Sequence, residues 1–142
     1  MSAAEVRDVL NAYAEVLIAR GDYARFFADD IHFEVMGTDQ VADGPAAAEQ
    51  AIRYLHEVAF DANPELVNVV VDDAGSAAIE AVFAGTHISD FAGVPATGAT
   101  VRVPYSVFYG VADGKITALR IYMSLESVVA QLTAPAHAAT AG

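Results

Sequence analysis

The chain has 142 residues, 55% of them hydrophobic, which is one domain's worth of sequence and enough to bury roughly 70% of the surface its unfolded form would expose. Nineteen Asp and Glu against seven Lys and Arg give a formal net charge of −12, which argues against nucleic acid and anionic membranes as partners, because both need a basic surface to displace counterions. With no cysteine, disulfides, thiolate nucleophiles and zinc–thiolate sites are ruled out.

Ser2-Ala3-Ala4-Glu5 has capping-box spacing, so a helix is expected to start here, with Val6, Leu10, Tyr13, Leu17 and Ile18 as its apolar stripe and Gly21 as the left-handed residue that ends it. A second short helix over 22–28 brings Phe26 and Phe27 to the same core. A strand over 31–36 follows, then a polar loop over 37–44. Pro45 suits a first helical position, and Ile52, Leu55 and Val58 or Ala59 supply the next apolar face. From Glu65 onward β-branched residues dominate, and 66–71, 77–87, 100–111 and 115–123 read as strands. Tight turns cannot join parallel strands, so this half is expected to be an antiparallel meander. Both faces of these strands carry apolar residues: Val101, Val103, Tyr105 and Val107 on one, Pro104 and Phe108 on the other. One face is expected to pack on the helices and line a cavity, the other to meet a second subunit. A single domain over 1–132 is expected, with a disordered tail over 133–142 that is too poor in large apolar groups to offset the entropy of ordering it. No apolar run approaches the ~20 residues of a membrane span, and no basic region followed by an apolar run opens the chain, so a cytoplasmic protein is expected.

Tyr13 lies on the buried stripe of the first helix, where its phenol needs a partner, either a nearby carbonyl or a ligand oxygen. Asp39, in the loop Gly37-Thr38-Asp39-Gln40, is either a cap of its own backbone or a general base at a pocket mouth. His87 ends a long strand three residues before Asp90, either bonded to the following crossover or placed to shuttle a proton. His32 and His56 read as strand-surface and helix-surface residues. Together with His137 these histidines show no zinc-helix spacing, so no metal site and no cofactor are expected. Arg102, Arg120 and Tyr122 form a polar set across adjacent strands, explained by cross-strand packing or a subunit interface.

Gly85-Thr86-His87, the crossover Gly93-Val94-Pro95-Ala96-Thr97-Gly98, the turn Asp113-Gly114-Lys115-Ile116 and the ending SLESVVAQL of residues 124–132 together resemble the SnoaL-like polyketide cyclases, of the NTF2-like group that also holds ketosteroid isomerases and limonene-epoxide hydrolases. The resemblance implies an α+β conical roll: a curved, mostly antiparallel sheet around three N-terminal helices, with an internal pocket. It places Tyr13 where the isomerases keep an oxyanion tyrosine, and turns Val35, Phe83, Ser106, Leu119, Ile121 and Met123 inward. The acids of these relatives fall on Val35, Ser106, Ile121 and Ser124, and the limonene-epoxide hydrolase positions also on Ala81 and Phe83. The function so implied is a small cofactor-independent cyclase or isomerase acting on an apolar, carbonyl-bearing, polyketide-like substrate. Asp39 or His87 would be the base, Tyr13 and Ser106 the donors to the enolate, and Val35, Phe83, Leu119, Ile121 and Met123 the substrate-binding wall. The alternative is a non-catalytic binding protein for an apolar small molecule. A homodimer is expected in either case.

Overall fold

The computed structural model describes residues 2–134. Helix α1 (Ala3–Ile18) begins at Ser2, whose hydroxyl accepts from the Glu5 amide while the Glu5 carboxylate accepts from the Ser2 amide, so the capping box is formed. Val6, Leu10, Tyr13 and Leu17 are buried, but Ile18 is exposed, and the left-handed residue after the helix is Arg20 rather than Gly21. The strain is offset by the side chain: the Arg20 guanidinium donates to the carbonyls of His56 and Ala62 and pairs with Asp61. The second expected helix is a single 3-10 turn, Tyr23–Phe26, because the chain must already be extended at Phe27 to enter β1 (Phe27–Val35). Asp29 and Asp30 lie within this strand.

The expected loop holds a three-residue edge strand, β2 (Val41–Asp43). Helix α2 (Pro45–Arg53) starts at Pro45 and runs into a π turn, Tyr54–Val58, closed by the Ala59 amide donating to the Tyr54 carbonyl. Leu55 and His56 of that turn are buried and Val58 is exposed. Next come β3 (Phe60–Val71), β4 (Ser76–His87), β5 (Thr100–Ala112), β6 (Lys115–Met123) and α3 (Leu125–Leu132). β3 starts six residues earlier than 66–71 suggests. It is an edge strand, so Pro64 loses no ladder bond there.

The sheet order is β2-β1-β6-β5-β4-β3. The meander from β3 to β6 is antiparallel as the turns require, but β1 lies parallel to β6, Val35 opposite Ile121. Irregularities in register at Leu66/Asn68 and Gly110/Val111 bend the strands into a curved, open sheet. The concave face carries Phe83, Val103, Val107, Leu119 and Ile121 against the helices. The convex face carries Ser106, Phe108, Arg120 and Tyr122, and Ser106, expected inward, donates instead to the Ile79 carbonyl at 2.8 Å. Val101 and Val103 are buried within the one chain. Residues 124–132, the SLESVVAQL motif, form α3 and its cap, the Ser124 hydroxyl accepting from the Ser127 amide. His137 and the tail beyond residue 134 lie outside the described residues.

Gly85 lies opposite Ala62 where β3 and β4 approach closely: a Cβ there would overlap the Asp61 carbonyl oxygen and the Ala62 side chain. Gly85→Ala is expected to destabilise the fold by about 1–3 kcal/mol. Urea unfolding checks this, with a lower midpoint at unchanged slope; an unshifted midpoint would contradict the close approach.

Candidate functional site

Between α1, the π turn and the concave face lies a cavity of about 40 Å³. It has room for a few waters, one needing ~10–15 Å³. Its walls are mostly apolar, built by Leu10, Leu17, Ile52, Leu119 and Ile121, and five polar residues also line it: Asn11 and Tyr13 from α1, His56 from the π turn, Tyr105 and Tyr109 from β5. Tyr13 is 3% exposed and sits in an aromatic cage, edge-on to Tyr23 and Tyr109 at centroid distances of 6.0 and 6.2 Å. Burial pushes the Tyr13 hydroxyl well above the usual phenol range, with the neighbouring Tyr109 adding to it, and burial pushes Tyr105 and Tyr109 up as well. All three remain neutral hydrogen-bond donors at any physiological pH. Among the described residues none of the three hydroxyls has a hydrogen-bond partner within the protein.

His56 is the residue that sequence reasoning placed wrongly, as a helix-surface histidine. It is 8% exposed. Its Nδ1 lies 2.8 Å from the Ile52 carbonyl oxygen, a group that only accepts, so Nδ1 carries the proton and Nε2 holds a bare lone pair. Nε2 is sealed from solvent without a partner among the described residues. Burial holds its pKa below the ordinary imidazole value, the bond to Ile52 opposing the shift only in part. The signal available in the sequence was its i+4 spacing from Ile52, which places it on the same helical face as that buried residue.

His87 is the mirror case. The Thr97 amide donates to its Nδ1 at 3.1 Å, so the ring proton is on Nε2, also buried and unpartnered. Thr97 Oγ1 lies 2.9 Å from the same nitrogen, and the His87 backbone bonds Gly98 and Ala99. His87 therefore clamps the crossover loop, and its ring packs on Phe60 at 5.3 Å rather than lining the cavity.

A second, larger hollow of about 760 Å³ opens between β1, β2, α2 and the crossover, walled by Phe33, Val35, Leu55, Phe91, Met123 and Leu125, with Gln40, Asp43 and Gln50 also lining it. The predicted wall is thus divided. Leu119 and Ile121 face the inner cavity, Val35 and Met123 face this groove, and Phe83 stands among His56, Phe60 and Tyr105. Asp39 is exposed in its loop, with Gln40 donating to it at 3.4 Å, and lines neither hollow. Of the four residues expected to act on substrate, the structure brings only Tyr13 to the cavity. Among the described residues no group of three or more His, Asp or Glu is arranged to hold a metal ion, and no helix is long and apolar enough to cross a membrane.

In comparisons with known proteins, the family described as SnoaL-like polyketide cyclase matches residues 7–132. No curated protein matches the chain. Among solved structures, a candidate SnoaL-like polyketide cyclase from Jannaschia sp. CCS1 is similar at a TM-score of 0.83 and 21% identity, over 94% of each chain. TsrD from Streptomyces laurentii is similar at 0.79 and 19%, over 95% of this chain and 99% of that one. A protein with a ketosteroid isomerase-like fold from Catenulispora acidiphila, in complex with trimethylamine, is similar at 0.73 and 20%, over 90% of this chain and 94% of that one. At these identities the likeness shows the fold, the α+β NTF2-like architecture.

The rim of the groove is held by an ionic contact with its own pH dependence. His32 Nδ1 lies 2.7 Å from Asp43 Oδ1 on β2, and its Nε2 lies 3.1 Å from Glu34 Oε1. Only an imidazolium can donate to both, and these bonds, to Asp43 first and Glu34 second, raise the His32 pKa above its ordinary value. The stabilisation is therefore fully present below about pH 6.5 and is lost as pH rises through the higher folded-state value. An NMR titration of His32 is expected to give a midpoint above 6.5, shifting down in Asp43→Asn; a midpoint at or below 6.5 would contradict the bridge.

Proposed function

We propose a cyclase-like acid–base role for this chain, which belongs to the SnoaL-like polyketide cyclase family. The substrate in this reading is an apolar molecule bearing a carbonyl, and the reaction begins with loss of a proton α to that carbonyl. The observation that carries the proposal is the convergence of three neutral phenols, Tyr13, Tyr105 and Tyr109, on one apolar cavity. The cavity, with room for a few waters, must widen to take a ketone, and the carbonyl oxygen then meets donors that cannot ionise. As enolate charge develops on that oxygen, the low local dielectric makes each donated hydrogen bond worth more than it is in water. The same walls give a ground-state anion no compensation for its lost hydration, which favours neutral substrates.

A second reading, a non-catalytic binding protein for an apolar small molecule, is supported by the groove: it is far larger than the inner cavity, and the cavity lining contains no carboxylate. In both readings the chain pairs with a second copy through the convex face, where Phe108 and Tyr122 stack edge-to-face at 5.6 Å while 44% and 46% exposed.

Exchange of the α-protons of cyclopentanone in D2O, followed by NMR, separates the two. Under the acid–base reading the wild type accelerates exchange, and Tyr13→Phe lowers the rate about 10²-fold, the low end of what loss of one oxyanion donor costs, since the remaining phenols partly substitute. Saturable ligand binding without any exchange would favour the binder. Light scattering is expected to give a dimer mass for the wild type and a monomer for Phe108→Glu; a wild-type monomer at micromolar concentration would remove the pairing proposal.

A further inference from the structure

We infer that His56 is the proton acceptor of this site, its Nε2 lone pair taking the α-proton from a carbonyl substrate whose oxygen is held by the cavity phenols. The inference rests on the acid–base reading above and adds the group that it lacks. Two independent features of the geometry support it. The bond from Nδ1 to the Ile52 carbonyl fixes the tautomer, so that the nitrogen on the far edge of the ring is the basic one. That nitrogen is buried and unpartnered, in a ring that shares its cavity with Tyr13, Tyr105 and Tyr109. A buried acceptor without a donor costs stability. What would satisfy it is a donor arriving from the cavity, which is what a substrate on its way to losing a proton supplies.

The backbone is shaped for this placement. The π turn carries the buried His56, and the Arg20 guanidinium, on a left-handed residue at the end of α1, donates to the His56 carbonyl and ties that turn to the first helix. The ring also packs edge-on against Phe83 at 5.7 Å, which limits its swing. No acid lines the cavity to compete for the proton.

The step balances without a cofactor. Nε2 forms a bond to the α-hydrogen, the C–H pair becomes the enolate C=C bond, and the carbonyl π pair moves to oxygen, where the phenols donate. The resulting imidazolium, still bonded to Ile52 through Nδ1, returns its proton to the product, either at carbon in an isomerisation or to the alkoxide formed when the enolate attacks a second carbonyl. The charged groups facing His56 are Arg20, which disfavours the imidazolium and is itself paired with Asp61, and Glu57, which favours it; the facing tyrosines stay neutral. Since burial outweighs these contributions, the histidine is neutral and competent at pH 7, and the acid limb of the rate profile falls below about 6.5.

The test uses the full chain and cyclopentanone exchange. His56→Asn keeps an amide donor for the Ile52 carbonyl and His56→Phe keeps the ring against Phe83, so one of the two preserves each structural contact. Both are expected to lower exchange by about 10²–10⁴-fold, the contribution of a positioned base. In wild type, 15N NMR is expected to show His56 as the Nδ1–H tautomer, with Nε2 shifting on addition of the ketone. Wild-type exchange that persists in a folded His56→Asn or His56→Phe variant, or an Nε2–H tautomer, overturns the role of His56 and leaves the acid–base reading intact if Tyr13→Phe still slows the reaction. Absence of exchange in wild type overturns both.

Discussion

The parallel pairing of β1 with β6 is the contact on which the remaining architecture depends. The meander from β3 to β6 can form from neighbours in sequence, but by itself it is a curved sheet with a bare concave face. Setting Val35 beside Ile121 attaches the N-terminal third of the chain to the far end of that sheet, and the short connections on either side of β1 then leave α1 and α2 lying across the concavity. Such a pairing closes a loop of most of the domain. Loop entropy grows only logarithmically with length, so the cost is modest, and it is met by a core that runs from Val6 to Leu132.

Once the helices cover the sheet, loss of water sets the protonation state of the cavity phenols and of His56. The phenols of Tyr13, Tyr105 and Tyr109 are kept neutral and the His56 imidazole is kept unprotonated, one kind of group remaining a donor and the other remaining an acceptor. Neither outcome requires a charged neighbour. An apolar enclosure with bifunctional polar groups is therefore self-consistent at neutral pH, and the low proportion of basic residues in the chain has no bearing on it.

The two buried histidines show how local hydrogen bonding divides labour between identical side chains. At His56 a carbonyl fixes the proton on Nδ1; at His87 a backbone amide fixes it on Nε2. One ring is thereby left with a basic nitrogen beside the cavity, and the other clamps the crossover that follows Phe91, a residue of the groove wall. Phe33, Val35 and Met123 of the groove and Leu119 and Ile121 of the cavity all lie on one face of β1 and β6, so a single face of the sheet serves both hollows.

Period, capping and turn chemistry were legible in the sequence, because each depends on residues a few positions apart. Ser2 with Glu5, Pro45, the strand over 77–87 and the turn at Asp113-Gly114 all stand where local physics puts them. The motifs from Gly85 to Leu132 carried the family and the α+β fold for the same reason. Tyr13 was found because its stripe is helical and its neighbours are apolar. What local pattern could not reach was decided by packing. Packing against Phe83 seals His56 in the core, and the edge position of β3 lets Pro64 stand in a strand; Ser106, by contrast, lies on the face that the alternation of Val103, Tyr105 and Val107 already assigns it, where it bonds Ile79, and only the resemblance turned it inward. A side chain's chemistry depends on which nitrogen is capped and how much water is excluded. Both are properties of elements brought together from opposite ends of the chain, so the sequence determined the scaffold and the tertiary structure alone decided which of its polar residues share a cavity.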